Sequence, residues 1–256
     1  MTFPYYFNIG SLQVHPHLLF ELLAYFIGFR LYLYTRRKER LSPKRAIWVV
    51  IGAIIGAAAG SKLLFLMEDP AKTIANWNNY SYLMGGKTIV GGLLGGLIGV
   101  EVTKKWIGHQ ESTGDDLVFP LLTGMMLGRI GCFLTGLDDH TYGTPTTSPF
   151  GVDFGDGILR HPTQLYEIVF LAFLGVGMYM LRLKQKRGAF QLPEGAQFQL
   201  FMTGYLLFRF FIDFIKPTPE LLGNLNNMQW ACLFGLLYYG ICMKKWTQRL
   251  FQERMN

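Results

Sequence analysis

Seven apolar stretches run through the 256-residue chain: residues 18–34, 46–66, 85–102, 117–134, 163–181, 198–215 and 228–243. A helix crossing the hydrocarbon of a bilayer needs about 20 mostly apolar residues. Segments of this length and polarity have few other ways to fold, because every backbone N–H and C=O must be satisfied internally in lipid. The pattern predicts an all-α, polytopic integral membrane protein of about seven transmembrane helices, built as a single transmembrane domain over residues 1–256. The stretch 71–83 is too polar to span and is expected to lie at the interface as a short helix or loop.

Composition agrees. Only 16% of residues are charged, against about 25% in soluble domains, and mean hydropathy is +0.24. The 30 glycines sit partly inside the apolar runs, where small residues let membrane helices approach closely. The formal charge of +7 does not point to nucleic acid, because the basic residues are clustered in alternate connections. Residues 35–45 hold Arg36, Arg37, Lys38, Arg40, Lys44 and Arg45; later come Lys104 and Lys105, then Arg182, Lys184, Lys186 and Arg187, and finally Lys244, Lys245, Arg249 and Arg254. Cytoplasmic loops carry such excess, so the N-terminus is expected outside and the C-terminus in the cytoplasm. No basic start precedes a short apolar core, so the first apolar segment is expected to serve as an uncleaved insertion signal.

The three cysteines, Cys132, Cys232 and Cys242, lie in apolar surroundings without ligand-like spacing and read as small core residues. The longest outer connection, residues 136–162, is rich in Gly, Pro, Thr and Asp. Loops of this length are usually functional or disordered, and the unusual polar residues of the two segments it joins favour the functional reading.

Ionisable residues inside membrane segments are costly and usually face a partner or a wet cavity. Glu21 follows His15 and His17 in the first segment; it is either a hydrated interfacial carboxylate or a general base. Arg129 is flanked by Gly128 and Gly131, which leave room beside a planar fork suited to phosphate; the bland reading pairs it with a carboxylate. His161 and Pro162 open the fifth segment, where early backbone N–H groups favour anions, and Gln164 and Glu167 share a helix face. His161 is either a cap or an acid–base group. Arg209 and Asp213 are four apart, so they either neutralise each other or aim Arg209 at a phosphate. All these groups gather toward one leaflet, which fits a phospholipid head group better than a midplane transport site.

The run His161-Pro162-Thr163-Gln164-Leu165-Tyr166-Glu167 resembles, without change, the H-P-[ST]-Q-L-Y-E run of bacterial prolipoprotein diacylglyceryl transferases. Gly128-Arg129-Ile130-Gly131-Cys132-Phe133, followed by Gly143, is similar to that family's G-R-x-G-N-F signature. Residues 208–214 resemble its F-R-F-x-[IV]-E-F, Gly91-Gly92 its H-G-G-L-x-G, and Gly60-Ser61-Lys62 its G-A-R. The resemblance implies an enzyme of the bacterial cytoplasmic (inner) membrane with no metal and no cofactor. It would move the diacylglyceryl group of phosphatidylglycerol to the cysteine thiol of a prolipoprotein lipobox peptide, releasing glycerol phosphate. Arg129 and Arg209 would bind the phosphate. Gln164, Tyr166 and Glu167 would shape the head-group site, with Gly91, Gly92, Gly128, Gly131, Gly143 and Asp213 lining it.

The departures from the pattern fall on the acceptor side. Val90 stands where the family places a histidine, Cys132 and Thr135 replace asparagines, Leu137 replaces a glutamate, and Glu21 takes the place of a tyrosine. The chain resembles a divergent member that keeps the lipid-phosphate half. Glu21, His15, His17, His140 and the Asp138-Asp139 pair are the residues able to supply a base in place of the missing imidazole. A lipid-handling membrane protein without catalysis is the other class these residues allow.

Overall fold

The computed structural model describes residues 3–36, 42–188 and 191–255; three of the six basic residues in the first connection, Arg37, Lys38 and Arg40, lie outside them. The chain starts with a hairpin of β1 (Phe7–Ile9) and β2 (Leu12–Val14), then forms α1 (Pro16–Thr35), α2 (Pro43–Leu66), α3 (Pro70–Ala75), α4 (Tyr80–Met84), α5 (Ile89–Trp106) and α6 (Val118–Thr135). A second hairpin, β3 (Val152–Asp153) with β4 (Leu159–Arg160), precedes α7 (Thr163–Lys186), α8 (Ala196–Ile212) and α9 (Asn227–Met255).

Each of the seven apolar stretches carries a helix, although residues 85–88 of the third precede α5. Five of the described helical segments are long and apolar enough to cross a membrane: Pro16–Thr35, Lys44–Leu66, Gly114–Asp139, Thr163–Lys186 and Ala196–Ile215. The other two, α5 and α9, carry charged or polar residues at their ends. The architecture is that of an all-α, multi-pass membrane protein. Large apolar side chains such as Phe26, Ile54, Ile55, Phe173, Phe211 and Phe234 stand exposed on the helices, as expected where the solvent is lipid. The polar stretch 71–83 folds as α3 and α4, each too short to span. The two hairpins are additions to the helical pattern, made of strands of two or three residues, below the length at which alternation is legible.

Helix ends follow local sequence. Asn226 Oδ1 accepts from Gln229 N at 2.8 Å and Gln229 Oε1 accepts from Asn226 N at 2.9 Å, a reciprocal capping box that starts α9. The buried Asp115 carboxylate accepts from Gly195 N at 2.8 Å and Phe198 N at 3.0 Å, placing negative charge at the N-terminus of α8. In the first hairpin, Gly10 takes the positive φ of 63° that a two-residue turn requires.

The chain divides into two compact units. One holds β1, β2, α1, α6, the 136–162 connection, α7 and α8 as far as Phe208. Here α6 packs against α1 and α7, over a core of Val118, Leu122, Leu171, Phe201, Met202 and Leu206. Phe170 and Phe208 stack with ring centroids 4.2 Å apart.

The other unit holds α2 to α5, residues 209–213 and α9. Its centre is the α2–α5 seam, where Gly52, Gly56 and Gly60 meet Gly99, Gly95 and Gly91. A Cβ on Gly56 would fall 2.3 Å from Gly95 O, and one on Gly60 would fall 2.4 Å from Gly91 O. Glycine at every fourth position on both helices is what allows this backbone approach. Across the seam, Thr88 N donates to Ser61 Oγ at 2.9 Å and Thr88 Oγ1 to Ser61 O at 3.0 Å. Gly91 therefore sits in the helix seam, and Gly92 borders it with its nearest neighbour, Ser61 Cβ, 3.8 Å from a built Cβ. Val90 is fully buried beside them.

Candidate active site

In the first unit, α6 and α7 each bring one charged residue into the interior. Arg129 Nε lies 2.9 Å from Glu167 Oε2, and Glu167 Oε1 accepts from Tyr205 Oη at 2.7 Å. Arg129 is 8% exposed and Glu167 1%. A charge this deep is tolerable only when paired and hydrogen-bonded, so the pair and Tyr205 form one centre. The bland reading of Arg129 is thus correct as far as it goes: it does pair a carboxylate. Glu167 engages the Nε edge, while Arg129 Nη1 points toward Cys132 Sγ at 3.8 Å. Tyr205 was not among the residues the sequence marked, since an apolar helix containing one tyrosine gives no signal of its partner.

The two flanking glycines have different roles. A Cβ on Gly131 would lie 2.7 Å from Phe20 Cβ, so Gly131 admits α1, whereas nothing stands within 4 Å of a Cβ on Gly128. The Cβ position of Gly128 is therefore open, while that of Gly131 is filled by α1.

The start of α7 is tied to the 136–162 connection. Pro162 takes the N-cap position, one residue before the expected first turn. Gly143 N donates to His161 O at 2.8 Å, a contact that a side chain on Gly143 would block, with His161 Cβ only 2.7 Å from its Cβ position. His161 Nδ1 and Tyr166 Oη are 3.2 Å apart. Gln164 Nε2 donates to Thr141 Oγ1 at 3.1 Å, and Gln164 Oε1 is buried with no hydrogen-bond partner among the described residues. An orphaned buried acceptor costs about 1–3 kcal/mol, which a ligand hydroxyl would recover.

The connection itself is ordered around its hairpin. Asp153 Oδ1 accepts from Gly155 N at 2.8 Å and Gly157 N at 3.0 Å. Arg160 grips Asp156 through two bonds of 2.7 Å and lies over the Tyr142 ring at 5.2 Å. The Arg160 bonds hold the Asp156 carboxyl below its usual range.

Beside the arginine centre lies an open cleft of about 400 Å³ lined by His15, His17, Leu18, Glu21, Thr135, Asp138 and Asp139. Five of the residues able to supply a base therefore meet in one place; His140 is not among the lining residues. His17 Nδ1 is 2.8 Å from Asp139 Oδ1 and His17 Nε2 is 3.7 Å from Glu21 Oε2. Tyr25 Oη donates to Glu21 Oε1 at 3.1 Å. Cys132, expected to be a small core residue, is buried as foreseen, but its Sγ lies within 4.8 Å of the His17 and Asp139 donor atoms. Among the described residues, these three are grouped closely enough to hold a metal ion. They come from α1, α6 and the 3-10 turn Gly136–Asp139, so no sequence spacing announces them.

Arg209 and Asp213 belong to the second unit. Arg209 Nη2 lies 2.8 Å from Asp213 Oδ1, with both residues buried, so the i,i+4 pairing forms.

These features define a class: a polytopic membrane protein with a buried guanidinium–carboxylate centre beside a polar cleft. The family model for prolipoprotein diacylglyceryl transferase matches residues 4–245, and the chain belongs to that family. It is 30% identical to the phosphatidylglycerol–prolipoprotein diacylglyceryl transferase of Cupriavidus metallidurans, over 89% of this chain and 88% of that protein. The enzyme of the same name from Nitratidesulfovibrio vulgaris is 32% identical over 90% and 89% of the two chains. That of Geobacter sulfurreducens is 28% identical over 94% and 93%.

Proposed function

We propose that the protein transfers the diacylglyceryl group of phosphatidylglycerol to a prolipoprotein cysteine thiol, releasing glycerol phosphate. The observation that carries this reading is the Arg129–Glu167–Tyr205 centre, placed in a chain whose relatives bear that activity in their names. Displacement at the glyceryl carbon builds negative charge on the departing phosphate, and a preorganised guanidinium stabilises it. Glu167 fixes the fork through Nε and leaves its other edge for phosphate oxygens. Arg209, held by Asp213, is the other arginine to which the family resemblance gives a phosphate-binding role. Gln164 Oε1 accepts from a glycerol hydroxyl, and His161 with Tyr166 shapes the head-group site. Gly128 keeps this region open, and the missing side chain of Gly143 lets the connection close on His161. Glu21 relays the thiol proton into the cleft.

The enzyme works in the bacterial cytoplasmic membrane through seven transmembrane helices, α5 and α9 included. Its N-terminus lies outside and its C-terminus in the cytoplasm, with residues 136–162 as an outer loop. Incubating purified protein with labelled phosphatidylglycerol and a lipobox peptide tests the activity. Peptide-dependent release of glycerol phosphate, with the label moving to the peptide, is the expected result. Binding of phosphatidylglycerol without release would replace this reading with that of a lipid-handling protein. That second reading draws on Val90, whose fully buried apolar side chain leaves no imidazole at that position.

A further inference from the structure

The His17 imidazole is fastened on one edge and turned toward Glu21 on the other. Its Nδ1 lies 2.8 Å from Asp139 Oδ1, while Nε2 stands 3.7 Å from Glu21 Oε2, beyond hydrogen-bond range. At 2.8 Å the imidazole and the carboxylate are bonded to each other, closer than the roughly 3.3 Å between two ligands of a tetrahedral ion. The Asp139 side chain is 7% exposed and that of His17 40%, so the acid is buried behind a base that reaches the cleft. A carboxylate on Nδ1–H fixes the tautomer whose Nε2 carries the lone pair, the arrangement that makes a histidine a general base.

Asp139 is held in its turn. Thr141 Oγ1 donates to Asp139 Oδ2, Gln164 Nε2 donates to Thr141 Oγ1 at 3.1 Å, and Thr163 Oγ1 donates to Thr141 O. The dyad is thus anchored to the run from His161 to Glu167. His15, the other imidazole of the cleft, uses its Nδ1 to accept from His17 N at 3.3 Å, capping α1. Cys132 Sγ lies within 4.8 Å of the His17 and Asp139 donor atoms and 3.8 Å from Arg129 Nη1. A single side chain therefore separates the dyad from the guanidinium centre.

We propose that His17, oriented by Asp139, is the general base that takes the proton of the acceptor thiol, the role that Val90 leaves vacant. The assignment rests on the transferase reading above. A free thiol is mostly protonated at neutral pH, and imidazole is the side chain suited to accept a proton there. The thiol S–H gives its proton to His17 Nε2. The acceptor sulfur forms the S–C bond to the glyceryl carbon as the C–O bond to phosphate breaks, and the electron pair leaves on the glycerol phosphate oxygen. The imidazolium then passes its proton by way of Glu21 to cleft water. Asp139 touches no reacting atom and is a positioning residue.

The test uses the full chain in lipid nanodiscs containing phosphatidylglycerol, with two lipobox peptides that differ only in carrying cysteine or selenocysteine. A selenol is ionised at neutral pH and needs no base. At pH 7, His17→Gln should lower kcat for the cysteine peptide about 100-fold or more, the usual share of general base catalysis. The same variant should turn over the selenocysteine peptide near the wild-type rate. Asp139→Asn keeps the shape of the side chain but reverses the tautomer. It should lower kcat for the cysteine peptide by about 10-fold or more, with the same rescue by selenocysteine.

A wild-type kcat in His17→Gln with the cysteine peptide, or an equal loss with both peptides, would overturn the base. Should His17→Gln fail to fold, Asp139→Asn decides: loss confined to the cysteine peptide sustains the dyad, and equal loss or none overturns it. Either failure leaves wild-type turnover of the cysteine peptide, and so the transferase reading, intact. Wild-type protein that turns over neither peptide would sink the transferase reading and the base with it.

Discussion

Arg129 Nε and Glu167 Oε2 are 2.9 Å apart in the protein interior. One residue comes from α6 and the other from α7, so the pair exists only because these helices pack together. Its consequence is orientation. The carboxylate, itself held by Tyr205 Oη, fixes one edge of the guanidinium.

Arg129→Lys should lose most transferase activity, because a flexible point charge cannot reproduce a planar fork. Fold should survive, since the charge opposite Glu167 is kept. Turnover of phosphatidylglycerol, with thermal unfolding in parallel, checks both halves. Wild-type turnover in this variant would exclude the phosphate-fork role. Tyr205→Phe should be milder, losing one hydrogen bond to a charged group at a cost of about 1.5–3 kcal/mol.

The helix seam predicts opposite fates for two neighbouring glycines. A methyl on Gly95 would stand 2.3 Å from Gly56 O and 2.8 Å from Gly60 Cα. Gly95→Ala should therefore push α2 and α5 apart and cost about 1–3 kcal/mol. Gly92→Ala meets nothing nearer than 3.8 Å and should leave the unfolding temperature unchanged or slightly raised, alanine being the better helix former. Equal destabilisation by both substitutions would contradict the seam geometry.

Asp156 gives the hairpin a pH dependence. Its carboxyl is held below the ordinary 3.8 by the Arg160 hydrogen bonds, so folding the hairpin favours the ionised form. That contribution is fully present above about pH 4, the ordinary carboxylate range, and is lost as pH falls through the lower folded value. Backbone hydrogen exchange in residues 152–160 should therefore rise at acid pH relative to the intrinsic rate. Asp156→Asn should show this loosened state at neutral pH and respond less to acid. A variant as well protected as wild type at pH 7 would show that the pair does not hold the loop.

Topology is open to a labelling experiment. A cysteine at Ser42 should resist an impermeant thiol reagent in intact cells, because connections with such a basic excess stay in the cytoplasm. Thr147→Cys, on an exposed part of the 136–162 connection, should react. The reverse pattern would invert the orientation and place the cleft on the cytoplasmic side.

The chain's apolar stretches were enough to mark an all-α membrane protein, because the bilayer imposes a length and a polarity that soluble folding does not. The two hairpins escaped notice, as their strands are too short to show alternation. The chemistry-bearing residues were also visible individually: an arginine or a carboxylate in an apolar run stands out wherever its partner lies. The heptapeptide from His161 to Glu167 carried the family. Partners were another matter.

Arg209 and Asp213 could be paired from sequence, being one helical turn apart. Glu167 and Tyr205 could not, since 38 residues and a helix connection separate them. Cys132 read as core because its neighbours in sequence are apolar, yet packing brings His17 and Asp139 to it from two other elements. Sequence determines which groups are costly to bury and so must find partners. Only tertiary packing decides which partner each one meets, because the contacts that satisfy a buried charge are made between elements whose spacing along the chain carries no period.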